Sequence, residues 1–158
     1  MIKVDGMERI VVTELMASGA GGGAQVHVQN LVERLDRARF DIEVITLSEG
    51  PAVRRIRATG TTVHVVDEAD DSVALTNVVE LLTARPPDVL HNHMYRAEVV
   101  GTRAALTLAE SGVPKPYVVS TIHSSRIRSE DDRALLAAEQ RAKQQKVKGI
   151  LTSFASCL

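Results

Sequence analysis

Short apolar runs alternate along the chain with stretches in which apolar residues recur every three or four positions. The runs are rich in Val, Ile and Leu, as buried strands of a parallel sheet are, while the spaced stretches are typical of helices that bury one face. The stretch from 24 to 37, for example, places Val28, Leu31, Val32 and Leu35 on one side of a helix. The chain therefore predicts strands and helices in alternation.

This pattern also gives the expected bounds of the elements. Strands are predicted over 9–15, 40–47, 61–66, 88–93, 117–123 and 149–154. Helices are predicted over 24–37, 51–60, 72–87, 96–110 and 130–147. Because such an alternation requires parallel pairing and right-handed crossovers, the fold class is α/β, a single Rossmann-like, doubly wound parallel sheet. The common strand order for this arrangement, 3-2-1-4-5-6, is the one we expect.

Length and composition narrow the class of protein. The 158 residues fit one domain, and 19 Lys and Arg against 20 Asp and Glu argue against a nucleic-acid partner. The single cysteine, Cys157, allows no internal disulfide, and no signal peptide is recognisable, so we expect a cytoplasmic protein. Residues 1–7 precede the regular pattern and are treated as a flexible leader, which leaves 8–158 as the domain.

The stretch GAGGGAQVHVQNL, residues 19–31, places glycines directly before the first predicted helix. Such a loop either brings backbone N–H groups close to a phosphate or makes a sharp turn, and the sequence leaves both readings open. Gly19, Gly21 and Ala24 also fit the G-x-G-x-x-A fingerprint, so an NAD(P)-binding oxidoreductase domain is an alternative. That motif needs an acidic residue at the end of the second strand, and Glu49 comes too late.

Two further loops at the carboxyl ends of strands carry polar side chains, in HNHMYR and TIHSSR. Ligands bind at these ends in doubly wound sheets. The candidate catalytic residue is His123, and the candidate substrate-binding residues are Gly21, Gly22, Gly23, His93, Tyr95, Ser124 and Arg126. His91 and His93 share one face of a strand, but no Asp, Glu or Cys stands beside them to complete a metal set. We therefore expect no metal and no cofactor.

Other polar features have simpler interpretations. His27, on the first helix, and His64, in the third strand, are expected to be packing or surface residues. The basic stretch 139–149 lacks Trp and Phe on an apolar side, which favours a solvated face. A peripheral contact with the inner face of a membrane stays open as a weaker alternative.

Three of these motifs together resemble a known family. GGGAQVHVQNLVERL is similar to the glycine loop and first helix of family-4 retaining glycosyltransferases, DVLHNH resembles their D-x-x-H-x-H strand, and STIHSS resembles their T-x-H strand. The resemblance covers most of the chain and implies the N-terminal half of a GT-B fold. This half mainly binds the acceptor, and transfer from a nucleotide-sugar donor proceeds with retention, usually without a metal.

The resemblance also implies roles for individual residues. Gly22 and Gly23 would approach the donor diphosphate or an anionic acceptor, His123 would hydrogen-bond the transferred sugar, and His93 would shape the side that receives the acceptor hydroxyl. The family's donor-binding domain would begin after the sixth strand, and the chain ends at Leu158. We therefore expect half an active site, inactive alone, with a non-catalytic Rossmann-like binding subunit as a further alternative.

Overall fold

A computed structural model describes residues 2–4, 7–121, 123, 134 and 137. Its strands are β1 (Ile2–Val4), β2 (Met7–Met16), β3 (Phe40–Thr46), β4 (Thr62–Val65), β5 (Val89–His93) and β6 (Tyr117–Thr121). Its helices are α1 (Gly23–Arg34), α2 (Pro51–Arg57), α3 (Asp71–Ala84) and α4 (Tyr95–Glu110). The chain divides into a unit over residues 1–125 and a second unit over 126–158, of which Ala134 and Ala137 are helical.

The sheet has the expected topology. In the described part of the chain, parallel strands run in the order β4-β3-β2-β5-β6. This matches the predicted order for the first five predicted strands, since the strand expected over 9–15 lies between those over 40–47 and 88–93. The strand expected over 149–154, like most of the helix expected over 130–147, lies outside the described residues.

Helices cover both faces of this sheet. On one face, α1 and α2 pack on alternate residues of β2, β3 and β4 through a core that includes Val12, Val28, Val44 and Ile56. On the other face, α3 and α4 pack on Leu15, Leu90 and their neighbours. The apolar runs of the central strands are continuous because each strand is buried on two sides, which confirms the α/β, doubly wound, Rossmann-like fold.

Several element ends differ from the expected bounds. Helix α3 ends at Ala84 rather than at 87, because the residue before Pro86 is pushed out of the helical region; Arg85 has φ −140° and ψ 85°. Helix α1 ends at Arg34 rather than at 37, since Leu35 is already extended. Helix α2 ends at Arg57, and the turn after it closes at Gly60, whose φ of 81° favours glycine.

The start of the chain also contributes to the sheet. Residues 2–4, which the sequence pattern leaves outside the domain, pair antiparallel with the first residues of β2, with Ile2 opposite Arg9. β2 accordingly begins at Met7, two residues before the expected strand.

Candidate functional site

The predicted polar residues converge at the carboxyl ends of the central strands. β2, β5 and β6 end at Met16, His93 and Thr121, and β2 lies between β3 and β5. The chain therefore crosses from one side of the sheet to the other at β2, and the crevice between the loops after β2 and β5 is the topological switch point. Ligands of doubly wound sheets bind in this crevice.

The loop after β2 exposes the amino end of α1. Gly21, Gly22 and Gly23 are all exposed, and α1 has Gly22 as its N-cap residue, no side-chain cap and no acidic residue in its first turn. Within the described residues, the backbone N–H groups of 21–24 have no hydrogen-bond acceptor. These donors point to an anion-binding helix terminus, because the helix dipole adds positive potential at the same place.

The glycines of this loop do different work. A Cβ on Gly19 would lie 2.6 Å from the Ser48 carbonyl oxygen, so this glycine allows the loop to pack against the β3–α2 turn. Gly22 has an extended backbone, with φ 170°, and a Cβ there would meet only the end of the Gln25 side chain, at 2.9 Å. Gly21 and Gly23 have open space around the Cβ position and no left-handed φ. The turn alone therefore does not require glycine at 21–23.

A buried carboxylate joins the two histidines of β5. Glu14 Oε2 lies 2.9 Å from His91 Nδ1 and 2.6 Å from His93 Nε2. Glu14 is 2% exposed and His93 is fully buried, while His91 is partly buried and its Nε2 lies 2.8 Å from Thr121 Oγ1. Glu14 faces His91 across the β2–β5 pairing, so the register of the sheet builds this group. We name Glu14, His91 and His93 the Glu14 cluster.

The environment sets the charges of the Glu14 cluster. Burial by itself would raise the pKa of Glu14, but the hydrogen bonds from His91 and His93 outweigh it and hold the pKa below its ordinary value. Burial lowers the pKa of His93, and the contact with Glu14 offsets this only in part. At neutral pH the cluster therefore contains an ionised Glu14 and a neutral His93.

Two exposed histidines lie above this cluster. His27 on α1 and His123 beyond β6 have ring centroids 5.7 Å apart, and each ring lies close to that of His93, at 5.7 and 5.8 Å. Limited burial and the neighbouring His27 and His91 lower the pKa of His123. Three imidazoles from three elements thus line the crevice beside the glycine loop.

The structure corrects one expectation about the histidines and adds to another. A carboxylate does stand beside His91 and His93: Glu14 comes from another strand, and one ligand atom from each of the three lies within 4.8 Å of the others. The set could hold a metal ion, although hydrogen bonds already account for its close distances. His27, expected to be a packing or surface residue, is exposed, and its ring lies beside those of His93 and His123 at the crevice.

The remaining predicted residues are distributed more widely. Tyr95 is the first residue of α4, directly after Met94, whose φ of 73° is uncommon for a residue with a side chain. His64 lies away from the crevice, 3.5 Å from the Glu43 carboxylate. Glu49 is exposed in the β3–α2 turn. Ser124 and Arg126 lie outside the described residues.

Sequence reasoning missed Glu14, His27 and Thr121. A signal for Glu14 was present, because it is an acidic residue in the apolar run that forms the central strand. The expected strand order places the strand over 9–15 beside the strand over 88–93, so Glu14 and the two histidines are on adjacent strands. Which of them face each other depends on register, which the sequence does not display.

Comparison with known proteins identifies the family. The model of the glycosyl transferase 4-like domain matches residues 22–153, most of the chain. The chain belongs to this family. It is thus a glycosyltransferase-like domain, and the resemblance drawn from the three motifs is confirmed. No curated protein matches the sequence.

Solved structures agree on the fold of this glycosyltransferase-like domain. The lipopolysaccharide outer core galactosyltransferase WaaB aligns with a TM-score of 0.62 at 11% identity, over 81% of this chain and 37% of WaaB. A Listeria monocytogenes protein assigned as a UDP-N-acetylglucosamine 2-epimerase aligns with a TM-score of 0.59 at 13% identity, over 84% of this chain and 38% of its own. A further UDP-N-acetylglucosamine 2-epimerase aligns with a TM-score of 0.58 at 15% identity, over 83% of this chain and 40% of its own. The chain spans about two fifths of the length of each of these structures.

The helices were also compared with the length and hydropathy that a bilayer requires. Among the described residues, none is both long and apolar enough to cross a membrane.

Proposed function

We propose that this glycosyltransferase-like domain is the acceptor-side half of an enzyme that transfers a sugar from a nucleotide-sugar donor to a hydroxyl acceptor, with retention of configuration. Family membership supports transfer of a glycosyl group. The position of the crevice at the switch point of the sheet supports a ligand site in this half.

The observation that carries the proposal is the juxtaposition of two kinds of polar group. Unpaired N–H groups at 21–24 suit the oxygens of a diphosphate or of an anionic acceptor. The rings of His27, His93 and His123 beside them suit sugar hydroxyls. Glycosyl transfer needs both, because a diphosphate leaves while hydroxyls are held in place.

Individual residues take the following roles in this proposal. Gly21, Gly22 and Gly23 approach the anionic group, His123 hydrogen-bonds the transferred sugar, and His93 lies on the acceptor side. Tyr95 begins α4 directly after the β5 loop, and Ser124 and Arg126 keep the substrate-binding role that the sequence predicts for them. A second, donor-binding domain supplies the remaining contacts to the nucleotide, so the chain alone binds ligand but does not turn over.

The test compares the purified chain with a two-domain enzyme in which a GT-B donor-binding domain follows it. We expect transfer of a sugar only in the two-domain form, a product with the anomeric configuration of the donor, and no effect of a chelator. Robust transfer by the chain alone would refute the division of roles. Micromolar binding of NAD(H) would support the oxidoreductase alternative, and a stable protein partner without any small ligand would support a non-catalytic subunit.

A further inference from the structure

The hydrogen atoms of the Glu14 cluster follow from its central carboxylate. An ionised carboxylate only accepts hydrogen bonds, so both ring nitrogens that contact Glu14 Oε2 carry hydrogen. These nitrogens are Nδ1 of His91, at 2.9 Å, and Nε2 of His93, at 2.6 Å. The other ring nitrogen of His91, Nε2, is hydrogen-bonded with Thr121 Oγ1 at 2.8 Å. Both nitrogens of His91 are thereby paired.

His93 differs from His91 at its second nitrogen. The Nδ1 atom of His93 is buried and has no hydrogen-bond partner in the described part of the chain. Because Nε2 holds the hydrogen of the neutral ring, Nδ1 carries an unshared electron pair. A buried polar atom without a partner destabilises the fold, and in a native protein it calls for an explanation such as a missing ligand. His93 thus offers a hydrogen-bond acceptor at the floor of the crevice.

The groups around this acceptor restrict what can bind it. Its titratable neighbours are Glu14 on β2, His91 on β5, His27 on α1 and His123 beyond β6. An ion such as sulfate only accepts hydrogen bonds and cannot pair with Nδ1, whereas a neutral hydroxyl can donate to it. His27 and His123 are both exposed, so a change of their side-chain rotamers can open a path from solvent.

We propose that Glu14 is a positioning residue that holds His93 as the Nε2–H tautomer, so that His93 Nδ1 accepts a hydrogen bond from a neutral sugar hydroxyl entering between His27 and His123. That the hydroxyl belongs to a sugar rests on the proposed function, but the tautomer does not. The crevice then recognises two chemistries side by side: the glycine loop takes an anionic group, and His93 takes an uncharged hydroxyl.

The experiment is long-range 1H–15N NMR on the 158-residue chain labelled with 15N-histidine. At pH 7 we expect His93 to show a protonated Nε2 and a bare Nδ1. Methyl α-D-glucopyranoside should shift the His93 Nδ1 resonance toward that of a hydrogen-bonded nitrogen, while sodium sulfate should leave it unchanged. A His93 protonated at Nδ1, or an Nδ1 that does not respond to the glycoside, would overturn the proposal.

Two variants separate positioning from a general effect on folding. Glu14→Gln removes the charge that selects the tautomer, so we expect His93 to lose its single tautomer while the fold, judged by backbone amide spectra, is retained. Glu43→Gln is the matched control, because Glu43 is also a buried carboxylate, 4% exposed, and its contacts include no histidine of the crevice. It should leave the tautomer unchanged.

An unaltered His93 tautomer in a folded Glu14→Gln chain would refute the role of Glu14. If that variant does not fold, the wild-type tautomer and its response to the glycoside still decide the proposal. A two-domain enzyme that transfers no sugar, despite the expected spectra, would refute the transferase function and leave the hydroxyl site intact.

Discussion

Glu14 on β2 and Glu43 on β3 are buried carboxylates on neighbouring strands, yet their surroundings have little in common. The Glu43 carboxylate contacts the Thr13 hydroxyl at 3.0 Å, the Arg85 guanidinium at 2.7 Å, which also contacts Asp41, and the edge of the His64 ring at 3.5 Å. The Glu14 cluster contains imidazoles in place of arginine, and one of its ring nitrogens is unpaired among the described residues. Glu43 therefore has a permanent cation, Arg85, beside it, whereas the two rings that contact Glu14 are titratable.

The starts of two helices differ in a similar way. Helix α3 begins with Asp70, whose side chain accepts from the N–H groups of Ser72 and Val73. Helix α1 begins with an exposed glycine and no side-chain cap. Stability alone favours capped helices and paired charges. The region around β2 and β5 has an uncapped helix start and an unpaired ring nitrogen on His93 among the described residues, and for this reason we propose a ligand site there.

The largest effect is expected from Gly22→Val at the uncapped start of α1, measured in the two-domain enzyme. The side chain would block close approach to the N–H groups of the loop, and loss of such a donor slows turnover by on the order of 100-fold. The free energy of unfolding should change by less than about 1 kcal/mol, because the extended φ of 170° suits any residue.

Gly60→Ala is the control for this prediction. Gly60 has a φ of 81°, which alanine adopts only at a cost. The free energy of unfolding should therefore fall by roughly 1 kcal/mol, while turnover per folded molecule stays normal. A destabilised but fully active Gly22→Val enzyme would show that the glycine loop serves the fold rather than a ligand.

The next effect is a loss of stability when the Glu43 carboxylate loses its arginine partner. Arg85→Ala leaves the buried Glu43 carboxylate without its cation, which should destabilise the domain by roughly 2 kcal/mol in chemical unfolding, discounted because Arg85 is partly exposed. Arg55→Ala, which removes an exposed side chain bonded to Gln29, should cost less than about 0.5 kcal/mol. Equal losses in the two variants would mean that Glu43 does not need its partner.

Asp70→Ala tests the capped helix and should cost about 1 kcal/mol, with no change in turnover of the two-domain enzyme. Asp70→Asn retains a side-chain acceptor, so its free energy of unfolding should fall by only a few tenths of a kcal/mol. A fall in turnover on removal of the cap would erase the distinction between the two helix ends.

A smaller, gradual effect is expected from pH. The folded state lowers the pKa of His93 through burial, so its contribution to stability is present above the ordinary histidine value of 6.5 and is lost as pH falls through the folded value. The pKa of Glu14 is also lowered in the folded state, so its contribution to stability is lost as the pH falls below the ordinary carboxyl value of 4.5. Melting temperatures between pH 7 and 5 should therefore fall, and His93→Gln should flatten this part of the curve. A rise in melting temperature on acidification would contradict the assigned charges.

The fold was accessible from sequence because it depends on local patterns. Continuous apolar runs such as RIVVTEL and the spacing of Val28 and Val32 fix the type of each element, and chirality rules then leave few strand orders. Helix ends were less accurate, since Leu35 and Arg85 leave the helix for reasons of backbone geometry that hydrophobic spacing does not show.

The candidate site was only partly accessible. The glycine loop and the histidines of β5 were found because each is a short local motif. The contact between Glu14 and His93 joins residues 79 positions apart and arises from strand register. The position of His27 at the crevice was not predicted, because it depends on where α1 lies over the sheet and not on its neighbours in sequence.

The central claim, that the open end of α1 is a ligand site, is tested most directly by a backbone amide NMR titration of the chain with inorganic pyrophosphate. The account predicts that the largest, saturable shifts occur at the amides of 21–24, while those of Ser72 and Val73, already bonded to Asp70, hardly move. Equal shifts at both helix ends, or none at 21–24, would contradict it.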